Sequence, residues 1–194
     1  MKVVIVHGSN PRDREKLESG EPPQNKRHWI PWIKKNLEKR NIQTFTPLMP
    51  KNWDPKYEDW KKEFEKLEIN KETILIGHSA GGAFIVKWLG ETKKKIKKLI
   101  LIAPAKSYGK KPSDIFLKKL WEFCNFEIDK EILNLVEEII IFFSDDEKES
   151  IKQAIQIYCK ELSIVPIKLR GKGHFTERSM GTKEFPELLE EILN

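Results

Sequence analysis

A parallel α/β sheet covered by helices on both faces is the fold this sequence predicts, and three observations predict it. Short apolar runs alternate with longer amphipathic stretches along the whole chain. The runs are apolar at successive positions rather than at every second one, as in strands buried on both faces. The chain has 194 residues with no internal repeat and no low-complexity linker, which suits one domain over residues 1–194 with a sizeable core.

The elements follow in order. Strands are predicted at Lys2–Val6, Ile42–Thr46, Thr73–Ile76, Leu99–Ala103, Ile139–Phe143 and Val165–Leu169. Helices are predicted at Trp29–Lys39, Pro55–Leu67, Ala80–Gly90, Ser113–Phe123, Ser150–Glu161 and Glu184–Leu193. In the last of these, Phe185, Leu188, Leu189, Ile192 and Leu193 recur at helical spacing and should face the core. Strand–helix alternation makes each crossover right-handed and gives about six parallel strands in a three-layer sandwich. Two segments interrupt the pattern. Arg12–Arg27 is polar with a Pro-Pro pair and reads as a long surface loop. Residues 104–132 mix aromatics with lysines and read as a lid or insert. Both leave from the carboxyl edge of the strands, where open parallel sheets bind ligands.

Composition narrows the function. Hydrophobic residues make up 39% and charged residues 34%, the balance of a soluble globular protein. The net charge of +6, with a cluster at "KKKIKK" (Lys93–Lys98), raises nucleic-acid binding. Acidic residues are interleaved elsewhere and no nucleic-acid motif accompanies the charge, so a solvated surface is expected. No apolar run approaches the roughly 18 residues that span a bilayer. The start lacks signal-peptide features and reads as a first strand. Cys124 and Cys159 have no metal-ligand spacing and read as reduced structural thiols. These features point to a cytoplasmic protein with no nucleic-acid or membrane partner.

"GHSAG", Gly77–Gly81, matches G-x-S-x-G between the apolar "TILI" and the helical "GAFIVKWL". That context suits a tight strand-to-helix turn that lifts a serine hydroxyl clear of the sheet. Glycines relieve the crowding, and the Ala80 amide lies at a helix start where it can stabilise an oxyanion. Neither a phosphate-binding nor a dinucleotide-binding glycine pattern is present. Ser79 needs a base. Of the four histidines, His174 in "LRGKGHF" directly follows the last predicted strand, with Gly171 and Gly173 allowing the loop to turn back. The third member is expected among Asp145, Asp146 and Glu147, after "EEIIIFFS", where helix capping competes for the same carboxylates. In "VHGSN" the Ser9 amide is the expected second oxyanion donor, with Asn10 as the alternative.

Four elements in order, "HGSN", "GHSAGG", "FFSDDE" and "GKGHF", resemble the α/β-hydrolases. With "HWIPWIKKNLEKR", "GHSAGGAFIVKWLGE", "LILIAPA" and "FEID", the chain more narrowly resembles the small YdeN-like serine hydrolases, the group that includes the retinoblastoma-binding hydrolase. The likeness covers nearly the whole chain. It implies a compact α/β-hydrolase fold, a Ser-Asp-His triad and cleavage of an ester or related acyl bond without cofactor or metal. The acid loop departs from the family, where a Ser-x-Asp-Asp-Pro pattern is expected and Ser144 is followed instead by Asp-Asp-Glu-Lys-Glu-Ser. Ungapped, the family's acid falls on Glu147; with one residue deleted it falls on Asp146, the shorter carboxylate and the expected triad member, with Glu147 as runner-up.

The expected function is therefore that of a carboxylesterase-like serine hydrolase acting on a small acyl substrate. The competing expectation is a protein-binding module on a hydrolase scaffold, motivated by the irregular acid loop and six tryptophans. Phe116, Trp121 and Phe126 of the lid are candidates for an apolar pocket wall or for core.

Overall fold

A computed structural model describes residues 1–194. Its strands are β1 (Lys2–Val6), β2 (Gln43–Phe45), β3 (Thr73–His78), β4 (Ile96–Ile102), β5 (Val136–Ser144) and β6 (Ile167–Leu169). They form one sheet in the order β2-β1-β3-β4-β5-β6, with every pair parallel. Helices are α1 (Asp13–Glu18), α2 (Ile30–Glu38), α3 (Tyr57–Phe64), α4 (Ala80–Thr92), α5 (Ile115–Phe123), α6 (Ile132–Leu135), α7 (Glu149–Leu162), α8 (Glu177–Met180) and α9 (Pro186–Leu193). The architecture is the three-layer sandwich around a parallel sheet that the alternating runs predict.

The apolar strands divide their side chains between two cores. Val4, Val6, Leu75, Leu99, Leu101 and Ile141 face one side, where Trp60, Phe84, Trp88 and Tyr158 of α3, α4 and α7 cover them. Val3, Ile5, Ile74, Ile76, Ile100 and Ile102 face the other, under Ile30 and Ile33 of α2 and Leu188 and Ile192 of α9. Alternate Cβ atoms point to opposite faces, so a strand covered on both sides must be apolar at every position. No helix is long and apolar enough to cross a membrane.

The boundaries differ from the sequence expectations in instructive ways. Strand β3 continues through Gly77 and His78 to the serine, beyond the apolar run. Strand β6 starts at Ile167, because Pro166 has no N–H to give the ladder, and Val165 is 90% exposed. The Arg12–Arg27 segment carries helix α1 and a buried ion pair rather than running as a plain surface loop. The chain goes from β1 outward to β2 and then returns to β3 on the other side of β1. Strands β1 and β3 thus flank the switch point, where a crevice opens at their carboxyl ends.

Candidate active site

Ser79 sits between β3 and α4 with φ 54° and ψ −119°, a conformation that non-glycine residues rarely adopt. Such backbone costs of order 1–3 kcal/mol and persists only when surrounding contacts fix it. Here the Ser79 amide donates to the Ile102 carbonyl at 2.9 Å, while its own carbonyl accepts the amides of Gly82 and Ala105 at 3.0 Å each. Close approach explains the flanking glycines. A Cβ on Gly77 would lie 2.5 Å from the Gly82 Cα, and one on Gly81 would lie 2.3 Å from the Val6 carbonyl oxygen. The turn therefore holds β1, β3, β4 and α4 at van der Waals limits around one hydroxyl.

Two amides are available beside that hydroxyl. Ala80 is the first residue of α4 and has no carbonyl one turn back to bond. Ser9 follows Gly8, where an added Cβ would lie 3.0 Å from the Ser79 Cβ, and its amide makes no main-chain hydrogen bond. The Asn10 amide, the alternative from sequence, already donates to the Asn52 carbonyl at 3.3 Å. His7 fixes this loop. Its Nε2 accepts the Met49 amide at 2.9 Å, so Nδ1 carries the proton and donates to the Gly8 carbonyl at 2.8 Å. Burial lowers its pKa to about 4, keeping the ring neutral. Beneath it, buried Asp13 accepts Arg27 Nη1 at 2.5 Å and Asn52 Nδ2 at 2.6 Å, tying the 12–27 segment to the loop that follows β2.

Glu147 is the carboxylate on the candidate base. Its Oε2 accepts a hydrogen bond from His174 Nδ1 at 2.7 Å, and its side chain is almost wholly buried. Asp146, the acid expected from sequence, does not reach the ring. Its Oδ1 accepts the Ser144 hydroxyl at 2.5 Å and the Gly173 amide at 2.8 Å, and these bonds hold its carboxyl below the usual range. Asp145 accepts the Gly171 amide at 3.0 Å, and the Ser144 hydroxyl accepts the Lys172 amide at 2.8 Å. The physical reason for this arrangement is division of labour by length. The two shorter acids hold the backbone of residues 171–173, and the longer one extends past them to the imidazole.

His174 is also held from behind. His78 is buried, and its Nε2–H donates to the His174 carbonyl at 2.9 Å, with ring centroids 5.0 Å apart. A carbonyl only accepts, so the His78 proton is fixed on Nε2. Burial, reinforced by His174, depresses its pKa and keeps it neutral. With Nδ1 occupied by Glu147, His174 presents Nε2 as its free nitrogen. Ser79 and His174 line one cavity of about 300 Å³ at the switch point, although no hydrogen bond joins them in this arrangement. His28 lines it as well, and its Nδ1 accepts the Glu177 amide at 3.1 Å. Sequence reasoning missed the roles of His7, His78 and His28, each of which depends on a partner far along the chain.

A second cavity of about 430 Å³ is lined by Ala105, Leu117, Leu120, Trp121, Cys124 and Ile151, among others. Trp121 of the lid lines it, whereas Phe126 packs against the core. Cys124 is buried, and desolvation pushes its thiol up to about 12, so it offers no thiolate near Ser79. No cluster of three or more His, Cys, Asp or Glu side chains is placed to hold a metal ion.

Comparison with known proteins agrees with this fold. The ydeN gene product of B. subtilis is similar over 99% of this chain and 96% of its own, with 22% identity and a TM-score of 0.82. Est1E from Butyrivibrio proteoclasticus, solved with ferulic acid bound, is similar over 99% and 87%, with 13% identity and a TM-score of 0.64. A pyrethroid hydrolase from Sphingobium faniae is similar over 100% and 96%, with 14% identity and a TM-score of 0.59. No curated protein matches by sequence. The family model described as serine hydrolase matches residues 20–193. The chain belongs to the serine hydrolase family.

Proposed function

We propose that this hydrolase cleaves carboxylic esters, or closely related acyl bonds, through Ser79, His174 and Glu147. The observation that carries the reading is the pairing of a strained, upturned Ser79 with an imidazole whose Nδ1 is bound by a buried carboxylate. Ser79 Oγ attacks the acyl carbon while His174 Nε2 takes its proton. Glu147 holds the imidazole in the tautomer that leaves Nε2 free and stabilises the imidazolium that forms. Negative charge on the former carbonyl oxygen is met by the amides of Ala80 and Ser9, both in place before the charge develops. The acyl–alcohol bond breaks as His174 returns the proton to the leaving oxygen. Water then enters by the same route and releases the acid from Ser79. An apolar acyl chain would suit the 430 Å³ cavity, one of whose lining residues, Ala105, bonds the Ser79 carbonyl through its amide.

Labelling with a fluorophosphonate probe and turnover of a short-chain nitrophenyl ester test the reading. Ser79→Ala is expected to abolish both; wild-type labelling by the variant would sink it. A protein-binding role is supported by a separate observation. Helix α5 exposes 74% of Ile115 and 50% of Leu117, an apolar surface that suits a protein partner. In that case Ser79→Ala would leave partner binding intact while Leu117→Asp would abolish it.

A further inference from the structure

The wall around Ser79 and His174 has no carboxylate and no large apolar side chain, although the chain carries 30 acidic residues. What it offers is donors. The His28 ring uses Nδ1 to accept the Glu177 amide, which leaves its single proton on Nε2. The Ser9 hydroxyl is buried without a partner. Gln24 gives its carbonyl oxygen to Arg27 at 3.2 Å, which leaves its amide nitrogen. Lys16 pairs with Glu21 at 3.4 Å, and Glu177 pairs with Lys183 at 3.5 Å. Arg178 is left as the unpaired charge on this wall, exposed at the rim four residues after the candidate base.

Direction follows from the proton path. His174 delivers its proton to the leaving oxygen, so the alcohol half of an ester lies on the His174 side. Thr176 and Arg178 belong to the chain that leaves His174, and His28 is hydrogen-bonded to that same segment. We propose that the substrate is an ester whose alcohol half carries a negatively charged oxyacid group, a carboxylate or a phosphate, bound by Arg178 with His28 and Gln24 as neutral donors. A guanidinium presents paired donors that match either group, and the neutral donors orient it without adding repulsion. The proposal rests on the serine-hydrolase reading of Ser79 and His174.

The test compares 4-acetoxybenzoate and 4-acetoxyphenyl phosphate with the neutral methyl 4-acetoxybenzoate. Intrinsic leaving-group reactivity cancels when the anionic-to-neutral ratio of kcat/KM is compared between wild type and Arg178→Ala. Loss of one charge-assisted contact at an exposed rim is expected to lower that ratio about tenfold. Arg178→Glu should lower it further. The anion whose ratio depends more on Arg178 identifies the natural group. A ratio that stays within about twofold across the variants for both anions overturns the proposal. Calorimetric titration with 4-hydroxybenzoate, the carboxylate product, and with 4-hydroxyphenyl phosphate reads the same site without chemistry. Binding of either that is lost in Arg178→Ala supports the anion site, and equal binding by both proteins refutes it. If wild type binds one of them through Arg178 yet turns over no ester, the hydrolase reading fails and the anion site stands.

Discussion

At the scale of single residues, the assignment of Glu147 turns on the reach of one extra methylene. A carboxylate that orients a catalytic imidazole and one that ties down backbone amides differ sharply in what their loss does. Glu147→Gln, which keeps the shape but disturbs the tautomer of His174, is expected to lower kcat by roughly a thousandfold or more. Asp146→Asn keeps an oxygen for the Gly173 amide and the Ser144 hydroxyl, and is expected to cost less than about tenfold. Steady-state kinetics on one nitrophenyl ester compares the two, and the reverse ranking would return the role to Asp146. His7 makes a different prediction. Its folded pKa of about 4 lies below the unfolded value of about 6.5. The unfolded chain therefore binds the proton first. Stability present above about pH 6.5 is lost as the pH falls towards 4, by about 3 kcal/mol for this residue. Urea unfolding across that range should show His7→Gln with a pH slope smaller by one proton, and an unchanged slope would contradict the assignment.

At the scale of elements, the turn from β3 into α4 is the tightest junction in the molecule. Gly81→Ala would drive a methyl into the Val6 and His7 carbonyls, both backbone atoms that yield only if β1 moves. A loss of about 3 kcal/mol in urea denaturation is expected, at the upper end for overpacking. Retention of wild-type stability would mean that β1 is looser than drawn here. This junction was legible in advance because its signals are local: an apolar run, three glycines and a helical pattern within fifteen residues. The helix α1 was not, because "DREKLE" is short, charged and without an apolar stripe. Its anchor is the Asp13–Arg27 pair, fourteen positions apart, and no periodicity announces such a contact. The acid loop lies between these cases. A cluster of three carboxylates was visible, but choosing among them required the path of residues 171–174, to which each of the three contributes a bond. The histidine partnerships were hidden for the same reason, since His78 and His174 lie 96 positions apart.

At the scale of the whole molecule, the sheet order gathers at one edge groups scattered from residue 9 to residue 178. The central strands were legible because burial on both faces makes them unbroken apolar runs, Val3–Val6, Ile74–Ile76, Leu99–Ile102 and Ile139–Phe143, with their polar residues towards the ends. Strand β6 starts two residues later than its apolar run, past Pro166, while β4 and β5 each begin three residues before theirs, at Ile96 and Val136, where lysines or glutamates interrupt the apolar pattern. The two cavities differ chemically: the one holding Ser79 and His174 is lined by polar groups, and the other mixes apolar side chains with lysines and serines. The position of His174 beyond β6 has a consequence for biosynthesis. A chain still emerging from the ribosome already carries Ser79 and all three carboxylates, but it lacks the proposed base until the residues after the final strand are added. Under the proposed mechanism the nascent protein is therefore chemically silent through most of its synthesis, and the capacity for acyl transfer arrives in one late step.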